Sequence, residues 1–396
     1  MEMPHKIVYS HKEKIVNLLR RLIQTPSITG NEGRIIALLE KEMIEFGFDE
    51  VFVDDMGNLI GKIGSGSKVL AIDAHVDTVE IGNLDDWKYS PFSGEIVEDK
   101  IFGRGSADQK GGLASSLYAV KLLKTIGIPK NISIYFVASI HEESCEGMNW
   151  KFIIENLGIK PNFVILTEPS NLSIILGHRG RADIKIDTSG ISSHGAEPDL
   201  GVNAIYKMLP IISEIESLHQ HLPMDEVFGK ETMTITEIKS ESASLNAVPY
   251  SCSIFVDRRL GSNNSIDTIL DEIKSLSSVK EAKAKVYLPD YEIKTYNGFS
   301  YKIKGYFPSW KMEEDHSYVN KAKKVFEEQF NTKPKISYWR FSTNGVTTKG
   351  VYEIPTIGFG PGNEVQAHTY NEYLSIEQLL KATEFYLAFL IDWGKD

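Results

Sequence analysis

Along residues 11–24 and 32–46, apolar side chains recur at the spacing of helices that bury one face, and Gly47 follows the second run as a stop. Strand-like apolar runs come next at 50–53, 58–63 and 68–74. The pattern then predicts a helix over 109–126, a strand at 132–138, a helix near 148–156 and a strand at 162–166. Strands alternating with helices indicate an α/β sheet covered on both faces. Beyond residue 180 the rhythm changes. ADIKIDTSG reads as a strand, and GVNAIYKMLPIISEIESL as a helix that Pro210 is positioned to kink. ETMTITEIKS and SCSIFVDRRL read as strands, IDTILDEIKSL as a helix and AKAKVYL as a strand. The order β-α-β-β-α-β is ferredoxin-like. It predicts a compact α+β unit over 180–290, inserted into a larger α/β unit made of residues 1–179 and 291–396. The α/β pattern resumes with a helix at 315–330, a strand near 354–358 and a helix at 375–392, so the two flanking segments are expected to complete one mixed central sheet.

The chain has 396 residues, of which 42% are hydrophobic and 24% charged, enough for one large or two ordinary globular domains. A formal net charge of -11 repels phosphate backbones, so nucleic acid is not expected as a partner. Cys145 and Cys252 are the only cysteines, which is no disulfide framework and suits a reducing compartment. The opening MEMPHKIVYSHKEK is polar, and no apolar run is long enough to cross a bilayer. The expectation is a soluble, cytoplasmic protein.

Acidic and histidine residues recur where predicted strands end. His75 and Asp77 follow LAID, Glu142 and Glu143 follow ISIYFVASIH, and Glu168 follows FVILT. Asp108 lies in GRGSADQKGG and His368 in AHTYNEY. Ligands of α/β sheets bind beyond the carboxyl ends of the strands, so these groups are expected to converge. Singly, each has a plainer reading: a helix cap for Asp108, a solvated helix start for the glutamate pair, a turn for Glu168, a surface histidine for His368. Together they describe a cleft whose negative charge needs cations. Mixed imidazole and carboxylate donors favour Zn²⁺, with Co²⁺ or Mn²⁺ also compatible. GKIGSGSK lacks the spacing of a phosphate-binding loop, and neither cysteine nor any serine sits in a nucleophile elbow.

The succession H-x-D, GRGxxDxKGG, E-E, a strand-terminal E-P and AHxxNE resembles, over nearly the whole chain, one group of zinc-dependent hydrolases. That group includes acetylornithine deacetylase, succinyl-diaminopimelate desuccinylase, aminoacylase and carboxypeptidase G. HEESCEG, HRGR, FSTNGV and KMEEDH look most like its YgeY-type branch. The resemblance implies a zinc-exopeptidase-like catalytic domain with a ferredoxin-like lid, two divalent cations per subunit and a homodimer formed through the lid. It implies that Asp108 bridges the two cations, with His75 and Glu168 on one and Glu143 and His368 on the other. Asp77 would orient His75, Glu142 would be the general base, and the Asp108–Gln109 peptide bond would be cis. In the lid, His194 of GISSHGAEPD would stabilise an oxyanion, reaching into the partner's site in a dimer, and Asn246 of SLNAVP would touch substrate. FVDRRL matches a D-x-R strand end, so Arg259 would bind a substrate carboxylate, and strand alternation puts Arg258 on the opposite face. FSTNGV places Thr343 and Asn344 where several relatives carry an acidic S-D-G segment, which suggests an uncharged polar pocket for the non-reacting end.

Adjacent glutamates suit amide hydrolysis because one can bind metal while the other moves a proton. The expected activity is cleavage of an N-acyl or N-carbamoyl amino acid, with exopeptidase or dipeptidase as the alternative. A non-catalytic binding protein on the same scaffold is the remote one.

Overall fold

The computed structural model describes residues 2–262 and 265–395. Its central sheet runs in the order Glu50–Val53, Leu59–Gly64, Ile132–Ser139, Lys68–His75, Phe163–Leu166, Thr356–Gly358, Ile174–His178, Trp310–Lys311, and Ile336–Trp339 joins beside Ile174–His178. Lys68–His75, Ile132–Ser139, Phe163–Leu166 and Thr356–Gly358 are parallel, and antiparallel strands flank them on both sides. The sheet is therefore mixed, as expected. Strand Lys68–His75 is buried from Leu70 onward, which is why LAID shows no polar alternation apart from Asp73.

Helices Lys12–Ile23, Lys110–Ile126, Ser317–Phe330 and Ile376–Trp393 pack together beside this sheet. The two glycines of the KGG element allow that layer to close. A Cβ on Gly112 would lie 2.0 Å from the Thr167 carbonyl oxygen, and one on Gly111 would lie 2.3 Å from Leu374 Cδ2 and 2.6 Å from the Ser106 oxygen. Helix Lys110–Ile126 thus sits directly against the end of the strand that delivers Glu168.

The second sheet runs Thr232–Glu241, Ser251–Leu260, Gly180–Ser189, Lys285–Tyr287, antiparallel throughout. That order is the ferredoxin-like one the sequence predicts. Helices Ala204–Gln220, Ile266–Ser275 and Ser277–Ala282 cover one of its faces. They enclose a separate core that includes Ile184, Ile186, Met208, Ile254, Val256 and Ile273. Strand Ser251–Leu260 alternates strictly: Arg258 is buried against Glu231, and Arg259 lies on the other face. Tyr306–Phe307 also pairs with Gly180–Ser189, whereas the hairpin Asp290–Lys294/Ser300–Lys304 packs on the main core through Ile293, Tyr296 and Tyr301.

Several elements go beyond the sequence pattern. The polar N-terminal stretch forms helix Glu2–Ser10, held by the buried Val8 and by a 3.0 Å contact of His5 Nδ1 with Glu384 Oε1 on the C-terminal helix. Docking on the C-terminal helix holds this helix in place. Strand Ile174–His178 escapes notice because a short apolar run right after a turn has no period to read. Helix Ala204–Gln220 continues through Pro210, whose residue is exposed, so the carbonyl that loses its partner can face water. Among the described residues no helix is long and apolar enough to cross a membrane.

The glycine packing yields a test. Replacing Gly by Ala inside a helix ordinarily gains up to ~1 kcal/mol. At Gly112 the added carbon meets a backbone oxygen that cannot swing away, and such overpacking costs about 1–3 kcal/mol. Gly112→Ala is expected to lower the denaturant midpoint of unfolding, and a raised midpoint would show that the helix has room.

Candidate metal centre

The four parallel strands end together. Their register pairs His75 with Ser139, Asp73 with Leu166, and Leu166 with Gly358. The segments that follow therefore emerge along one edge of the sheet, bringing Asp77, Glu142, Glu143 and Glu168 to it, while His368 comes from the longer loop after Gly358. Fully buried His75 points Nε2 at Asp108 Oδ1 (3.1 Å), Glu168 Oε1 (3.6 Å) and Glu142 Oε2 (4.0 Å). His368 Nε2 lies 2.8 Å from Glu143 Oε2 and 3.5 Å from Asp108 Oδ2. Asp108 thus turns one carboxylate oxygen to each histidine. Donor atoms of His75, Asp108 and Glu143 fall within 4.8 Å of one another, as do those of His75, Glu142 and Glu168. Glu142 sits among the candidate ligands, not behind them, and its Oε1 is buried without a hydrogen-bond partner.

Neutral groups brace two of the ligand candidates, a carbonyl for His75 and a glutamine for Glu168. His75 Nδ1 is 2.9 Å from the Asp77 main-chain oxygen, while the Asp77 carboxylate is farther, at 3.5 Å. A hydrogen bond to that carbonyl keeps a proton on Nδ1 and turns Nε2 to the carboxylates, where a cation would take the place of its proton. Asp77 spends its carboxylate elsewhere: it accepts from the amides of Glu142 and Glu143, both at 3.1 Å, and from Thr29 Oγ1 at 2.9 Å. It therefore sets the backbone of both glutamates as well as touching His75. Gln109 Nε2 donates to Glu168 Oε1 at 2.6 Å, and the Asp108–Gln109 peptide bond is cis, as the resemblance implied.

Two residues essential to this framework were passed over in the sequence reading. Fully buried Glu372 accepts from the amides of Gly105 (2.9 Å), Ala107 (2.8 Å) and Asp108 (3.0 Å), and from Arg104 Nη1 at 2.9 Å. Arg104 also donates to the carbonyls of Thr369 and Glu80. The pair joins the Asp108 loop to the His368 loop as one piece. Both residues stand inside GRGSADQKGG and AHTYNEY, and opposite charges in two converging loops were the available signal.

The electrostatics describe a site short of positive charge. Burial pushes the Glu142 carboxyl well above its usual range, and Glu168 adds to that. Burial likewise raises Glu168 to about 8, with Asp108 and Glu143 reinforcing it, and raises Glu143. Burial alone would lower the pKa of His75, yet Glu168, Asp108 and Asp77 hold its proton far above the ordinary value. Divalent cations among these donors would relieve the repulsion, and the imidazole–carboxylate set fits Zn²⁺, Co²⁺ or Mn²⁺.

The other expected residues fall in two places. His194 is exposed on the lid, bridged to Ala247, and borders with Asn246 a lid cavity of about 870 Å³ that none of the metal-centre residues lines. Arg259 grips Asp257 through Nε (2.8 Å) and Nη2 (2.9 Å). Thr343 and Asn344 are buried and engaged internally. Thr343 Oγ1 and its amide both meet His178 Nε2 at 3.0 Å. Asn344 donates to Asp73 Oδ2 at 2.8 Å and accepts from the Gly147 amide at 2.7 Å. Asn344 is thus a strut between the sheet and the loop after Glu143, with its acceptor and a donor already spent inside.

Known proteins resemble this chain in sequence and in fold. A protein of Escherichia coli K12 named YgeY, itself uncharacterized, is 40% identical over 395 residues, covering 99% of this chain and 98% of its own. The succinyl-diaminopimelate desuccinylase of Rickettsia massiliae is 28% identical over 399 residues, covering 95% and 99%. Among solved structures, aminopeptidase PepT of Bacillus cereus superposes with a TM-score of 0.73 at 24% identity, over 97% of this chain and 99% of that one. The YXEP protein of Bacillus subtilis, a dinuclear metal-binding peptidase of the M20 family, does so with a TM-score of 0.70 at 14% identity, over 97% and 98%. Residues 71–392 match the model of peptidase family M20/M25/M40, a span that holds every candidate ligand from His75 to His368, and the chain belongs to that family.

Proposed function

We propose that this M20-family hydrolase cleaves the amide bond of an N-acyl or N-carbamoyl amino acid, with residues 1–179 and 291–396 as catalytic domain and 180–290 as lid. The observation that carries the reading is Asp108, whose Oδ1 faces His75 and whose Oδ2 faces His368, beside a spare buried carboxyl, Glu142. That arrangement supports two divalent cations, one held by His75, Glu168 and Asp108, the other by Glu143, His368 and Asp108. When bound, they would polarise the scissile carbonyl and lower the pKa of a water towards about 7.

The chain's own groups supply the rest. Glu142 Oε1, unpartnered and screened from bulk water, takes the proton from the attacking water and returns it to the leaving nitrogen. Asp77 keeps Glu142 and Glu143 in register through their amides. Arg259 offers a guanidinium to the carboxylate of the amino acid, sharing it with Asp257. The Ala196 amide donates to His194 Nδ1 at 3.1 Å, which leaves Nε2 as the protonated nitrogen, a donor suited to an oxyanion. Exposed Ile191, Leu200, Tyr206 and Leu245 lie on the lid in the segments that carry His194 and Asn246. This supports a homodimer in which His194 serves the neighbouring subunit. Both cysteines are buried and unpaired, in keeping with a cytoplasmic enzyme.

A panel of N-acyl amino acids, ureido acids and dipeptides, offered to the zinc- or cobalt-loaded protein, tests the substrate class; turnover of dipeptides alone would replace the deacylase reading with an exopeptidase. Glu142→Gln is expected to keep its metal content and lose about 10²–10⁴-fold in turnover, the usual worth of a general base. Glu143→Gln should instead lose metal; the reverse pattern would exchange their roles. Mixing Glu142→Gln chains with His194→Ala chains should restore activity towards about a quarter of wild type if His194 acts across a dimer interface, on a rough count of random pairing with independent sites. No recovery in verified mixed dimers would place His194 in its own subunit's chemistry or in none.

A further inference from the structure

The loop between strand Ile132–Ser139 and helix Met148–Asn156 carries Glu142 and Glu143 and is held at two points by the catalytic domain. Asp77 takes the amides of both glutamates, and Asn344 takes that of Gly147. Between these points the loop is held by the other domain. Buried Glu146 places Oε2 3.4 Å from Nη2 of Arg181, on the first strand of the lid. Among the described residues Arg181 is the one cation paired with Glu146. Arg181 is itself flanked by an acid and a ring. Its Nε lies 3.7 Å from Asp183 Oδ1, its guanidinium stands 4.4 Å from the Phe307 ring centroid, and Asp183 accepts from Tyr291 Oη at 2.7 Å. The register also pairs Arg181 directly with Arg259, so both arginines project from the same face of the lid sheet.

We infer that Arg181 is a positioning residue for the Glu142–Glu143 loop: through Glu146 it makes the placement of the two glutamates depend on where the lid stands. A glutamate four residues from the base is bonded to the lid, so a lid shift either draws the loop with it or breaks the pair that holds the loop. The strand that presents Arg259 to a substrate carboxylate is hydrogen-bonded, residue to residue, to the strand that presents Arg181 to the loop. Capture of a carboxylate on the lid is therefore one cross-strand step from the base. The ion pair is only partly shielded, with Arg181 24% exposed, so it can loosen and re-form with lid movement instead of locking the domains together.

The inference rests on the hydrolase reading for its kinetic effect but not for its structural one, and the test has an arm for each. Glu146→Gln and Arg181→Gln are each expected to lower kcat about tenfold, as a base displaced by a fraction of its bond length would, with KM changed less than about threefold. The double variant should be no worse than the weaker single, because both remove one link. Arg181→Lys, which keeps the charge, should recover part of the loss, and metal content should hold throughout. In the other arm, hydrogen exchange is followed in the apo protein. Peptides covering residues 140–147 should exchange faster in both single variants, while the lid strand Ser251–Leu260 is unchanged. Additive losses in the double variant, a loss confined to KM, or unaltered exchange at 140–147 would overturn the link. If wild type turns over no substrate of the panel, the hydrolase reading fails, and the exchange arm still decides whether Arg181 holds the loop.

Discussion

Five carboxylates, those of Asp77, Asp108, Glu142, Glu143 and Glu168, share the space beyond four parallel strand ends, and among the described residues two histidines, His75 and His368, pair with them. Confining like charges in a buried cleft is the constraint on which the rest of the structure depends. Register is its cause: strands that end in step must discharge their loops at one edge. The chain gathers the acids without supplying the matching cations. Arg104 pairs with Glu372, and Lys110 turns its buried amine to the carbonyls of Leu22 and Thr25, each at 3.0 Å. Among the described residues no lysine or arginine forms an ion pair with Asp108, Glu142, Glu143 or Glu168. Gln109 steadies Glu168, and two amides with the Thr29 hydroxyl steady Asp77, which orients a carboxylate without cancelling its charge.

The second layer of the site is built for rigidity. Glu372 gathers three amides of the Asp108 loop, and burial with the neighbouring Asp108 carboxylate raises its own pKa to about 7 despite those bonds and Arg104. Its carboxyl is thus costly to bury and strongly held, a combination that fixes loop geometry at the expense of stability. Gly112 serves the same end by steric means, letting a helix press against Thr167 just ahead of Glu168, and Gly111 lets it press against Leu374 and Ser106. The lid follows a different plan. It has its own hydrophobic core and presents a charged face, Arg181, Asp183, Asp257 and Arg259, on the side of its sheet away from that core.

Much of this was legible in the chain. The change of rhythm near residue 180 separates two kinds of sheet, because period-2 alternation marks a strand with one buried face and a continuous apolar run marks one buried on both. Arg258 and Arg259 divide between the faces for the same reason. The cluster His75, Asp108, Glu142, Glu143, Glu168 and His368 could be read because strand ends carry chemistry in α/β sheets. What stayed hidden was how the residues are paired. Asp77 was expected to support His75 with its carboxylate; the nearer contact is its carbonyl, and the carboxylate orders the next loop. Asn344, expected near the substrate, bonds Asp73, Ser139 and Gly147 inside the protein, partners no local pattern names.

The sequence by itself determined which residues can bind a cation, where strands must end and which face of each strand is apolar, since these follow from local side-chain chemistry and backbone period. Only the tertiary structure decided that Asp108 looks both ways, that Glu372 braces its loop across more than two hundred and fifty residues of chain, and that Arg181 touches the loop of Glu142. Those relations depend on which loops meet in space and on which of several possible partners each polar group finds once water is excluded. Such choices are made among groups far apart in the chain, and no local pattern records them.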